Sequence, residues 1–138
     1  FPRARIFMGD VGSGFLGIVI GILVLQATWQ HPQLLWSWLI LLGVFIVDAT
    51  FTLLRRLLRG EAVYQAHRSH AYQAAARRSG DHVPVTVAVG LINLAWLLPW
   101  AVAVALGSFD GAITMLIAYT PLLFLCIWLD AGAAEAGG

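Results

Sequence analysis

The 138-residue chain has no lysine, a single cysteine and few charges of either sign, with only 11% of its residues charged. So thin a polar coat excludes a soluble domain of this size, because 60% of the residues are hydrophobic and the mean hydropathy is +0.84. The lone Cys126 excludes an intrachain disulfide, and its setting in an apolar run reads as a packed apolar residue. The net charge of +1 says little about partners, and no nucleic-acid partner is expected.

What the chain has instead is long hydrophobic runs. Four windows, Val11–Trp29, Leu34–Leu54, Val83–Leu106 and Gly111–Leu129, reach the roughly 20 apolar residues that a spanning helix needs. The first is too long for the apolar region of a signal peptide, and three more follow it. Backbone polar groups in lipid must be bonded within their own segment, so all four windows are expected to be helices. The fold class is therefore an all-α integral membrane protein. It forms one transmembrane domain over residues 1–138, with about four spans and a polar segment at 55–82.

The distribution of cations orients it. All eight, Arg3, Arg5, Arg55, Arg56, Arg59, Arg68, Arg77 and Arg78, fall before the first window or between the second and third. The opposite loops, around Gln30–Gln33 and Gly107–Asp110, carry none. The positive-inside rule then places both ends and the 55–82 segment in the cytoplasm. One cationic face marks topology and suits anionic lipid headgroups, which is the simpler reading, and a phosphate-bearing substrate is the sharper one.

Within the spans, Gly17 and Gly21 form a small-xxx-small pair that admits a neighbouring helix. Asn93 reads as an interhelical hydrogen-bond donor and Pro99 as a kink. Trp29, Trp36 and Trp38 fit an interfacial aromatic belt.

Three groups of residues can carry chemistry. Asp10 sits at the start of the first span among Gly9, Gly12, Gly14 and Gly17. It suits a helix N-cap, and it is also a hard oxygen ligand for Mg²⁺ beside N–H groups that could meet a phosphate. In "AHRSH", His67 and His70 share a helix face around Arg68. With Asp10 the histidines would make a two-His-one-carboxylate metal set, but the flanking arginines oppose a cation and favour a diphosphate. Asp48, deep in "LLGVFIVDATFTLL", costs roughly 2.5–3.5 kcal/mol to insert and so needs a reason. Polar glue between helices, helped by Thr50 and Thr52, is the simpler reading. His31, Asp110 and Asp130 read as surface residues.

"FMGDVGSGFLG", a second span ending "DATFTLLRRLLRG", and "AHRSHAYQ" together resemble the polyprenyl-phosphate N-acetylhexosamine-1-phosphate transferases. The resemblance runs from about Phe1 to Arg78. It implies transfer of a sugar 1-phosphate from a UDP-N-acetylamino sugar to undecaprenyl phosphate, initiating O-antigen or related cell-envelope polysaccharide. It also implies a multi-pass protein of the bacterial inner membrane, in contact with membrane lipids, with its active site on the cytoplasmic face. Asp10 matches the family's magnesium ligand, with Mn²⁺ an allowed substitute. His67, Arg68 and His70, together with Gly12 and Ser13, match positions near the substrate phosphates. Family members have ten or eleven spans and a paired-aspartate motif that is absent here. The chain is thus expected to be a C-terminal portion, inactive by itself. Self-association into a homo-oligomer is compatible with all of this.

Two other classes fit the same composition: a non-catalytic membrane scaffold, and a small transporter with Asp48 and Asn93 along its path.

The orientation has a direct check. A membrane-impermeant thiol reagent applied from outside should label a cysteine placed at Gln33 and spare one at Gln73. The reverse pattern contradicts the arginine argument.

Overall fold

The computed structural model describes residues 9–60 and 70–132, apart from the side chains of Asp10 and Arg77. All regular structure among these residues is helical. In chain order the elements are α1 (Asp10–Gln30), α2 (Leu34–Leu41), α3 (Gly43–Leu58), α4 (Ala71–Ser79), α5 (His82–Leu91), a π-helical segment (Ile92–Leu97), α6 (Leu98–Ala105) and α7 (Gly111–Trp128). Three stretches are long and apolar enough to cross a membrane: Val11–Gln30, His82–Ala105 and Gly111–Trp128. The chain is an all-α integral membrane protein.

The second hydrophobic window is not one straight helix. It breaks at Leu42, and α2 and α3 meet at 68°. Three contacts with α7 show that the bent pair still traverses the whole bundle. At one end, the Trp36 indole fills the space that a Cβ on Gly111 would occupy. At the middle, a Cβ on Gly43 would lie 2.8 Å from Tyr119 Cε1. At the far end, Arg55 is ion-paired to Asp130 at 2.6 Å. The pair therefore follows α7 from its start to its end and makes one broken span.

The break has a physical cause. Interrupting a helix strips carbonyls of their i+4 donors, which in an apolar setting is costly. The Tyr119 hydroxyl donates to the Leu39 carbonyl in the last turn of α2 at 2.7 Å. The ring approaches that closely because Gly43 has no side chain.

The third window is one run, but its middle is π-helical. Pro99 has no N–H to give, and the wider turn before it lets Leu98 N–H reach the Asn93 carbonyl. Asn93 does not bond another helix, as its position would predict. Its side-chain amide donates to the Val89 carbonyl of its own helix at 3.0 Å. The donor that does cross between helices is the Trp96 indole, to the Ala118 carbonyl at 3.1 Å. Ile40, Leu97, Ala101, Val104, Ala118 and Leu122 form the core between these spans.

Two aspartates cap helices. Asp110 accepts from the Ile113 N–H at 3.0 Å to start α7, and Asp81 accepts from the Val83 N–H at 3.3 Å to start α5. Asp110 is thus more than a surface residue. Helix α1 stands apart, packing on α2, with Phe15, Ile18 and Leu25 largely exposed. Nothing described lies within 4 Å of where Cβ atoms on Gly17 and Gly21 would be, so no described helix uses that pair.

If Tyr119 stabilises the break through its hydroxyl, Tyr119→Phe should lower stability by about 1 kcal/mol, the net worth of one such bond. Thermal melting in detergent measures this, and an unchanged melting temperature would show the Leu39 carbonyl needs no such partner.

Candidate functional site

The end of the bundle that carries the arginines is built by side chains from one element bonding the backbone ends of another. Along α3, Asp48, Thr52 and Arg56 recur every four residues and so lie on one stripe. All three are buried, at 9%, 0% and 5% relative exposure. Asp48 Oδ1 accepts from the Thr52 hydroxyl at 3.3 Å and from the backbone N–H of Ala71 at 2.7 Å. Ala71 is the first residue of α4, where N–H groups have no acceptor within the helix. A carboxylate there meets both the bare donor and the positive end of the helix dipole. Asp48 is thus the glue between elements, with Thr52 rather than the exposed Thr50 as its helper.

His70 precedes Ala71. Its Nδ1 lies 3.6 Å from Asp48 Oδ1, adjacent but too far for a direct hydrogen bond. Its ring stacks on Tyr72 with centroids 5.9 Å apart, and its backbone N–H donates to Gln73 Oε1 at 3.3 Å. Asp48 is ten residues before the end of α3, so His70 sits about 15 Å down that axis from the end of the helix. It is therefore no freely solvated loop residue.

Beside this pair lies a cavity of about 510 Å³ between α3 and α5, with Asp48, His70 and Asn93 among mainly apolar walls such as Phe45, Val44 and Val89. Its chemistry suits an alkyl chain. The Asp48 carboxylate would repel a phosphate placed inside it.

Arg55 and Arg78 of this face both reach the C-terminal end of α7. Arg55 pairs with Asp130 and also donates to the Ala131 carbonyl at 2.8 Å. Arg78 donates to the Trp128 carbonyl at 3.2 Å and lies over the Trp128 ring, 5.4 Å from its centroid. Both place cation charge at the C-terminal end of α7, where exposed carbonyls favour it. Asp130, expected as a plain surface residue, is half of one of these clamps. Gly132, at φ +72°, packs its backbone against the Arg55 side chain.

At α1, the N-cap is Gly9 and Asp10 is the first helical residue, so Asp10 does not fill the capping position its residue type suits. Gly12 lies in that first turn, beside N–H groups that point out of the helix. The Ser13 N–H is already taken, donating to the Gly9 carbonyl at 3.1 Å. The side chain of Asp10, and all of His67 and Arg68, lie outside the described residues. Among those described, no three His, Cys, Asp or Glu side chains converge on one point. The structure brings His70 to Asp48, and that pairing is the one the sequence reading missed. The four-residue recurrence of Asp48, Thr52 and Arg56 was its available signal.

A broken-span helical membrane protein with a carboxylate–histidine pair under its arginine-bearing end is the class defined so far. Comparison with known proteins sharpens it. The chain is 30% identical, over 129 residues and 92% of its length, to a protein of Bacillus subtilis (strain 168) named as a probable undecaprenyl-phosphate N-acetylglucosaminyl 1-phosphate transferase. That relative's name describes the kind of transfer the sequence motifs suggest, and the chain spans about a third (35%) of the relative's length. No family model and no solved structure matches it.

The clamps at α7 differ in what they use. Asp130→Ala should cost under about 1 kcal/mol, as for an exposed ion pair. Arg55→Ala should cost more, about 1–2 kcal/mol, because it also strips a donor from the Ala131 carbonyl. Equal losses in melting experiments would show that the carbonyl bond adds nothing.

Proposed function

We propose that the complete protein transfers an N-acetylated amino-sugar 1-phosphate from a UDP-sugar to undecaprenyl phosphate, as a first step of cell-envelope polysaccharide synthesis. The observation that carries this is the 92% coverage by a relative named for such a transfer, which takes in the His67–His70 segment. In the reaction, a phosphate oxygen of the lipid attacks the sugar-bearing phosphorus of the UDP-sugar. The bond between the two nucleotide phosphates breaks, and UMP leaves with the electron pair. Such a transfer depends on positioning and on neutralising charge.

In this reading Asp10 and the first turn of α1, with Gly12 and Ser13, face the phosphates at the membrane surface. Asp10 holds Mg²⁺, or Mn²⁺, as one carboxylate of a site completed largely by substrate phosphates. When bound, the ion supplies charge neutralisation on the diphosphate. His67, Arg68 and His70 donate to phosphate oxygens from the opposite side. The apolar cavity takes part of the lipid chain, and the site opens to the cytoplasm from the inner membrane.

The transporter reading has one observation in its favour, since Asp48 and Asn93 do line a common cavity. Both polar groups are nevertheless engaged, Asp48 with the Ala71 N–H and Asn93 with the Val89 carbonyl. A scaffold, for its part, gives no role to Asp10 or His70.

The test is an assay of the full-length protein with UDP-N-acetylglucosamine and undecaprenyl phosphate. Because Asp10 is not the N-cap, Asp10→Asn should fold like the parent. It should lose activity by about 100- to 1,000-fold, the scale of removing one electrostatic contributor from a transition state. A fully active Asn variant at saturating Mg²⁺ would remove Asp10 from the site, and an inactive parent with this donor and related UDP-sugars would sink the reading.

A further inference from the structure

We propose that Asp48 is a positioning residue for this reaction, acting by capping α4 from a different element and so holding His70 in place. The inference rests on the transferase reading for what His70 does, and on the geometry for how it is held. A carboxylate in a spanning segment is retained against its insertion cost only when it has partners. Asp48 has two hydrogen-bond partners, the Ala71 N–H at 2.7 Å and the Thr52 hydroxyl at 3.3 Å, with His70 Nδ1 beside it at 3.6 Å.

The shortest of these bonds goes to backbone, and to a particular backbone group. Ala71 N–H is the first donor of α4 and has no acceptor in its own helix. By taking it, Asp48 fixes the start of α4 on the α3 axis. His70, one residue earlier, has extended backbone at φ −67° and ψ 151°, and its side chain is turned back along the same carboxylate. Thr52, one turn on and fully buried, keeps the carboxylate from swinging away. The chain from Asp48 through Ala71 to His70 is therefore short and stiff. It sets where a histidine 22 residues on from Asp48 meets a substrate.

The two ends of the capping bond can be cut separately. Asp48→Ala removes the acceptor. Ala71→Pro removes only the donor, at the first helical position, where proline is well tolerated; the extended backbone of His70 already suits a following proline. Asp48→Asn keeps an oxygen that can accept the bond. With full-length enzyme, UDP-N-acetylglucosamine and saturating undecaprenyl phosphate, Asp48→Ala and Ala71→Pro should each lower kcat/KM by about 10- to 100-fold, as a misplaced group does. Asp48→Asn should stay near the parent value. In a His70→Ala background, the same two changes should add about twofold or less, because residues acting through one another are not additive.

Parent-like kinetics in a folded Asp48→Ala or Ala71→Pro variant overturn the proposal. So does a full multiplicative effect on top of His70→Ala, which marks a general structural role. An Asp48→Asn variant as impaired as Asp48→Ala overturns it too, since charge and not the cap would then matter. Should one variant fail to assemble by its melting profile, the other carries the same comparison. An inactive parent sinks the transferase reading itself, whereas an active parent with an indifferent Asp48 sinks only the positioning role.

Discussion

A helix end in apolar surroundings must find partners for the backbone groups its own ladder leaves over. In a bilayer, water cannot supply them through most of the thickness. Much of what is distinctive in this structure follows from that constraint. The helices are interrupted within or near the spans, and several of the ends so made are met by side chains from elsewhere. Tyr119 donates to the end of α2, and Asp48 accepts from the start of α4. Arg55 and Arg78 donate to the end of α7. These bonds join segments far apart in sequence, so the same interactions that satisfy the backbone also fix the arrangement of the helices.

The consequence for function lies at the arginine-bearing end. Two of the arginines that make this face cationic are spent on α7, which leaves a more selective surface than the count of charges implies. The carboxylate in the broken span serves to place α4 and the histidine before it. In the proposed transfer, bringing together a lipid phosphate and a soluble nucleotide needs rigid placement at the membrane surface more than it needs a large set of reactive groups. The homologous relative is about three times the length of this chain, and the uncovered surface of α1 is ample for lipid or for further helices.

Hydropathy alone placed the apolar helices, because about 20 apolar residues in lipid have few alternatives. The arginines likewise marked one face. The break at Leu42 was not legible: "LLGVF" contains no proline, and the bend depends on Tyr119, a residue in a different span. The role of Asn93 was misread because a side-chain amide in a helix can bond its own preceding turn as readily as a neighbour. Asp10 was shifted by one position from the cap, a difference that residue type does not encode. The polar stripe of Asp48, Thr52 and Arg56 was readable from its spacing, whereas its target at Ala71 lay across a segment whose path no local pattern gives.

The central claim, that a buried carboxylate on α3 satisfies the first backbone donor of α4, can be tested at that donor. Hydrogen–deuterium exchange of the Ala71 amide, measured in lipid nanodiscs, reports whether it is bonded. The account predicts slow exchange, despite a position where a helix offers no acceptor, and marked acceleration when Asp48 is replaced by alanine. Exchange in the parent as fast as that of an unbonded first-turn amide would contradict it.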